Sequence, residues 1–244
     1  MAVLLVWTVS GCKEQPAGEP NEPADTKQSA QDVQSSDDEK SGDGGMIEIQ
    51  PDLPDACFQD TPENLNVPNL KKQRPEGEER PPLLAPAGTT NVALGKPVTS
   101  SDSLPIIGSV DLIVDGDKQA QDGHYVELAP FLQYVTIDLK NRHNVYGIYV
   151  WHYHKAARYY KDVIVQTADD PNFTTNVNTI FNNDIDNSAE LGVGKDKHYI
   201  DTNEGKLIDA RGVQGRYVRL YSNGSNSSAM NHYIEVEVYG KPVE

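Results

Sequence analysis

Two runs near the end of the chain alternate strictly between apolar and polar side chains, and that period of two is the strongest constraint the sequence places on its fold. In Arg216–Tyr221, Val218 and Leu220 fall on one face and Tyr217, Arg219 and Tyr221 on the other. In Tyr233–Tyr239, Ile234, Val236 and Val238 oppose Tyr233, Glu235, Glu237 and Tyr239. Successive strand side chains point to opposite faces, so each run reads as a half-buried strand. Asn223-Gly224 supplies residues that tolerate positive φ where the first run must stop. The two runs are therefore expected to close the chain as an antiparallel pair.

Such a pair is marginal alone and requires further strands and a second apolar layer. They are predicted upstream: a lead-in over 92–100, the alternating run Gln133–Leu139, the β-branched and aromatic run 145–154, and shorter runs at 161–167, 179–181 and 197–200. Turn chemistry separates them, as Asp170-Pro171, Asn182-Asn183-Asp184 and Gly192-x-Gly194. Many short strands without long amphipathic helices imply an all-β sandwich or barrel, and about 155 residues suffice for its core.

The first third differs. Val9-Ser10-Gly11-Cys12 ends a short apolar run and resembles a bacterial lipobox, which would make residues 1–12 a lipoprotein signal and Cys12 the lipidated residue. No Lys or Arg precedes the run, so this reading expects the true start to lie upstream. Residues 13–45 are Glu, Asp, Gln, Ser, Pro, Ala and Gly with almost no large apolar side chain, the composition of a disordered acidic tether. Residues 46–90 scatter single apolar residues among prolines, which suits an extended arm packed along a domain at 91–244. Of the two cysteines, Cys57 has no partner or metal-type spacing and is expected to be a small buried hydrophobe. The net charge of -16 argues against a nucleic-acid partner. The acidity concentrates at the front, where residues 1–87 hold 17 acidic and seven basic side chains.

Five blocks in order, Asn91–Ser101, Val114-Asp-Gly-Asp117, Val135–Leu139, Arg216–Leu220 and Glu235–Gly240, resemble the discoidin or coagulation-factor type C domain. The resemblance implies a galactose-binding-like jelly roll, a recognition module rather than an enzyme, and a structural calcium. Matched residue by residue, the calcium would take Asp115, Asp117 and Glu235, with carbonyls of Leu112, Ala120 and Ile234 as further donors. Ala120 stands where the family often has a hydroxyl residue, so water or Asp122 would complete the shell. A hard cation wants six to eight oxygens, and Asp-x-Asp lets two carboxylates converge from one turn.

The densest candidate binding constellation is Trp151-His152-Tyr153-His154-Lys155, continuing through Arg158, Tyr159 and Tyr160. Aromatic faces stack on sugar C–H surfaces while His and Arg donate to hydroxyls, which points to carbohydrate contacts by Trp151, His152, His154, Arg158 and Tyr159. The alternative is that the aromatic residues pack a sheet face with Arg158 covering them. Tyr125, Asn223, Asn226, Asn231 and His232 are further polar loop candidates. Lys155, Arg158, Lys161, Arg211, Arg216 and Arg219 would suit an anionic polysaccharide if they formed one stripe. His152-x-His154 is also a metal-ligand spacing, and a third ligand from His124, His198 or His232 would make a zinc-type hydrolytic site. The expectation is an envelope lipoprotein, anchored to a bilayer through Cys12, that binds a glycan without catalysis; a protein-interaction module is the runner-up.

Overall fold

The protein's structure, a computed structural model, describes residues 45–56, 67–75 and 77–243. The expectations for the signal segment, Cys12, Cys57 and all but the last residue of the tether lie outside the described residues. The described residues form eleven strands: β1 (Met46–Ile49), β2 (Leu83–Pro86), β3 (Thr90–Asn91), β4 (Val98–Ser100), β5 (Val126–Leu128), β6 (Gln133–Trp151), β7 (Ile164–Ala168), β8 (Asn178–Asn182), β9 (Lys206–Ser222), β10 (Asn231–Tyr233) and β11 (Glu235–Pro242). A 3-10 turn over Val110–Val114 is the one helical element among the described residues. The all-β sandwich implied by the discoidin resemblance is the architecture observed.

The main sheet runs β3-β11-β6-β9-β7-β8, with β4 also on β6. The two closing runs are therefore not partners, contrary to the sequence expectation: β6 lies between β9 and β11 and pairs antiparallel with both. The connection leaving Asn223-Gly224 crosses the end of the sandwich and deposits β10 against β5 before β11 begins. Sequence pattern fixes which face of a strand is apolar and leaves its neighbour open.

β6 and β9 are long, 19 and 17 residues, and each serves both layers. Their register slips between Asp138 and His143 and again between Val145 and Gly147. Lys140 and Arg211 adopt left-handed backbone there, φ 70° and 53°. Bulges of this kind bend a strand and let it change sheets. The slip also explains a change of parity: Val135, Ile137 and Leu139 face the core before the bend, and Ile148 and Val150 after it. Lys206–Gly215, whose pattern is interrupted by charged residues, was not legible as strand and pairs with the second half of β6.

The opposite parity of β6 enters a second cluster. Tyr149 and Trp151 pack with Ile49, Leu83 and Ala85 from the proline-rich arm and with Ala120 and Ile234. The arm is not wholly extended, because β1 and β2 pair antiparallel. Its close approach depends on Gly147, where an added Cβ would lie 2.4 Å from Leu83 Cδ2. The sheet face that bears Trp151 is thus covered by chain 66 to 102 residues away in sequence.

Candidate functional site

Burial disposes of three predicted ligand contacts. Trp151 is fully buried. Its Nε1 donates to the Asn203 carbonyl at 2.9 Å, and Lys118 Nζ lies 5.5 Å from the ring centre. Gly205, at φ +64°, passes so close that a Cβ there would meet the indole at 2.5 Å. No sugar can stack on this ring. His152 is also fully buried, stacked on Tyr160 at 4.4 Å, with Nδ1 3.3 Å from Asp201 Oδ1. His154 donates from Nε2 to the Lys118 carbonyl at 3.0 Å, and burial lowers its pKa. They continue the inward parity of Ile148 and Val150, so the strand carries both into the protein.

The hydrolytic metal reading fails on the same geometry. His124 Nδ1 meets Asp117 Oδ2 at 2.5 Å, His198 packs edge-on to Tyr159 at 5.4 Å, and His232 pairs with Glu127. Among the described residues, His152 and His154 join no set of three ligand atoms within metal reach.

What reaches the surface at this end is the other parity. Tyr153, two residues past β6, meets Tyr125, one residue before β5, edge to face at 5.0 Å. The Arg158 guanidinium lies 4.7 Å over the Tyr153 ring, and its buried Nε has no hydrogen bond among the described residues. Glu127 and His232 are direct partners across the β5–β10 ladder, and their side chains meet at 2.8 Å. Burial, then the Arg158 cation, lowers the His232 pKa, although Glu127 opposes this. Neutral His232 therefore donates from Nε2 to the carboxylate and keeps Nδ1 as an acceptor, buried and unpartnered. Burial raises the Tyr125 pKa, so its hydroxyl remains a donor. An aromatic ledge, a guanidinium and an oriented carboxylate–imidazole pair thus share one half-buried surface.

Of the predicted contacts, Arg158 belongs to this group and Tyr159 flanks it, its amide donating to Asn226 Oδ1 at 3.0 Å. Asn231 is consumed internally, donating to the carbonyls of Ala129 and Phe131 and accepting from Ser222 Oγ and Gly224 N. Asn223 donates to Asp162 at 2.8 Å. Glu127 was missed, and Tyr153 lay in the predicted constellation but not among the residues expected to touch the sugar. Alternation pointed Tyr153 away from the core, but its neighbour Trp151 has the same parity and is covered by the arm. The basic stripe does not form: Arg216 makes two bonds to Asp138 at 2.9 and 3.0 Å, and Arg211 pairs with Asp209 at 3.1 Å. Arg219 is buried between Tyr134 and Phe173, 4.2 and 3.9 Å from the two ring centres.

The expected calcium ligands are partly assembled. Glu235 is fully buried; Oε2 accepts from Gly116 N at 3.1 Å and Oε1 has no partner among the described residues. Burial pushes its pKa up to about 9, and the carboxylates of Glu237 and Asp115 add to the rise. A buried carboxylate with an orphan oxygen beside a second acid is the donor chemistry a hard cation would satisfy. Asp117 is engaged elsewhere, with Oδ1 on Gln119 N and Oδ2 on His124. Among the described residues, Asp115, Asp117 and Glu235 do not form a set with oxygens all within 4.8 Å of one another. The set of three that does so among the described residues is Asp162, Asp184 and Asp186. The Asp184-x-Asp186-x-Ser188 spacing was its sequence signal, and Asp162 joins only through the fold.

No family model and no curated protein matches this chain. Among solved structures it is similar to the family 89 glycoside hydrolase of Clostridium perfringens, with 19% identity and a TM-score of 0.46 over 63% of this chain and 15% of that one. A Streptococcus pneumoniae fucose binding module matches at 19% identity and 0.44, over 64% and 98%. CBM32 of AlyQ in complex with 4,5-unsaturated mannuronic acid matches at 16% and 0.43, over 58% and 92%. The chain thus spans about 15% of the hydrolase's length and nearly all of the two modules.

Proposed function

We propose that this chain is a non-catalytic carbohydrate-binding protein whose sugar site is the loop end formed by Tyr125, Glu127, Tyr153, Arg158 and His232. The observation that carries this reading is the Tyr125–Tyr153 ledge, lying beside polar groups already held in place by Arg158 packing and the Glu127–His232 pair. A pyranose offers an apolar face for a ring edge and hydroxyls for a carboxylate and a guanidinium, so the mixture suits it. Groups fixed before binding lose little freedom on binding.

A structural calcium forms part of the proposal. Glu235 Oε1 and Asp115 would hold it, with Asp117 joining if its side chain leaves His124. The ion would neutralise a carboxylate that the fold otherwise buries uncompensated. Lipidation at Cys12 and an envelope location also belong to the proposal and rest on the sequence of residues 9–12. A protein-interaction role is favoured by one feature: Leu104, Ile106 and Phe131 expose 82, 52 and 79% of their surface.

The test is a glycan array with the full chain, in calcium and again in chelator, repeated with Tyr153→Ala and Arg158→Ala. Binding to one sugar class that both variants lose, with unchanged melting temperature, supports the site. A blank array from folded protein refutes it and makes capture of a protein partner the next experiment.

A further inference from the structure

The proline-rich arm does more than cover a sheet face. Its residues 71–75 and 77–84, the 199–205 loop and the start of β9 line a groove of about 1340 Å³ on another part of the surface. Lys206 lies in this groove. Its ammonium rests on the faces of Phe181 and Tyr199, 5.0 and 5.1 Å from their centres, and makes no hydrogen bond or ion pair among the described residues. Arg80 is half-buried nearby, its Nη1 donating to the Gly205 carbonyl at 2.8 Å and its guanidinium 4.8 Å over Tyr149. Lys71 and Lys72 line the groove with exposed side chains and no carboxylate partner among the described residues.

Of the three acids that line the groove, Glu78 is exposed and the other two are paired. Glu204 is bonded to Arg74, and Asp209 to Arg211. Asp196 and Asp201, which act on Lys206 at longer range, accept from Asn182 N and face His152. Burial first, and then the Lys71 charge, pulls the Lys206 pKa down to about 8. In a chain of net charge -16, a groove lined by five Lys and Arg against three Asp and Glu, with Lys206 largely desolvated, favours an anion over a neutral ligand.

We infer that this groove is a second binding site, for a carboxylate-bearing polysaccharide whose acid groups meet Lys206, Arg80 and Lys71. Pro75, Pro81 and Pro82 supply apolar contacts for the sugar faces. The inference rests on the carbohydrate reading for its ligand class, and its residues are separate from those of the loop end.

The experiment is titration calorimetry of the full chain with hexagalacturonate and with its fully methyl-esterified form, the same backbone without charge. The acid form should bind and the ester should not, with affinity falling at least about tenfold between 50 and 500 mM NaCl. Lys206→Met should weaken binding at least about tenfold. Because Lys206 touches the core, Lys71→Glu/Lys72→Glu, which alters exposed side chains alone, should weaken it independently. Equal binding of the ester, no binding of the acid form, or an affinity indifferent to all three lysines would overturn the inference. Loss of hexagalacturonate binding in Arg158→Ala but not in Lys206→Met would move the acid sugar to the loop end and overturn it too. Failure of the loop-end reading is seen separately, as neutral-glycan binding indifferent to Arg158→Ala.

Discussion

Trp151 is the residue on which sequence and structure differ most, and its truncation separates the two readings. The indole is fully buried between the arm and β6, stacked on Tyr149 at 5.8 Å, and its Nε1 bonds the Asn203 carbonyl. Trp151→Ala removes a large buried side chain, a loss of about 3–5 kcal/mol, and deletes a hydrogen bond of about 1 kcal/mol. The Asn203 carbonyl is only partly buried and can turn to water, so no further penalty is added. For a domain of this size each kcal/mol lowers Tm by about 2–4 °C, giving a fall of roughly 8–24 °C. Trp151→Phe keeps most of the packing and should lose about 1–2 kcal/mol. The assays are urea denaturation for stability and calorimetry for the glycan, with the Phe variant used for binding because it stays folded. The expected result is lowered stability and an unchanged Kd. Wild-type stability of Trp151→Ala together with lost glycan binding would refute the buried placement.

Gly147→Ala would drive a Cβ to 2.4 Å from Leu83 and displace the arm from the sheet. About 1–3 kcal/mol of destabilisation and faster proteolysis within residues 67–90 should follow, read by mass spectrometry. Chelation should lower the Tm of the wild-type chain, and Glu235→Gln, which removes the charge without changing shape, should abolish that response in a thermal melt. Glu127→Gln should weaken glycan binding about tenfold in calorimetry while leaving Tm within about 2 °C, because only the charge of the pair is lost. Burial lowers the pKa of His154 and of His198, so the unfolded chain takes up their protons first. Their contribution to stability is therefore present above about pH 6.5 and is lost as pH falls through that value, by at most about 1.4 kcal/mol per pH unit for each group. A Tm series from pH 7.5 to 5 should show this, and His154→Gln should flatten it.

Much of the fold was legible because alternation is a local property. Spacing alone put Val218 with Leu220, and Ile234 with Val236 and Val238, on apolar faces; all are buried, Ile234 in the second cluster and the others in the main core. The two missed features of β9 have local causes: its first half reads Lys206-Leu-Ile-Asp-Ala-Arg, too mixed in pattern to stand out, and its neighbour in the sheet comes from 60 residues away. The candidate site was half legible. Arg158 and His232 stood out as polar residues in loops, whereas Glu127 reads as an ordinary strand charge until β5 and β10 are paired.

By itself the sequence determined a strand-built domain behind a polar leader, the inward and outward parity of most strands, and an Asp-Gly-Asp loop whose chemistry suits a cation. The tertiary structure decided what covers each face. Period-two patterning states only that a residue lies on one side or the other. The arm buries the side bearing Trp151 and leaves Tyr153, of the same parity, beyond its reach. The groove around Lys206 arises from the same cause, since Lys71, Arg80 and Lys206 become neighbours only when the arm lies along β9. Contacts between segments distant in sequence are set by the packing of the whole core, and no local pattern records them.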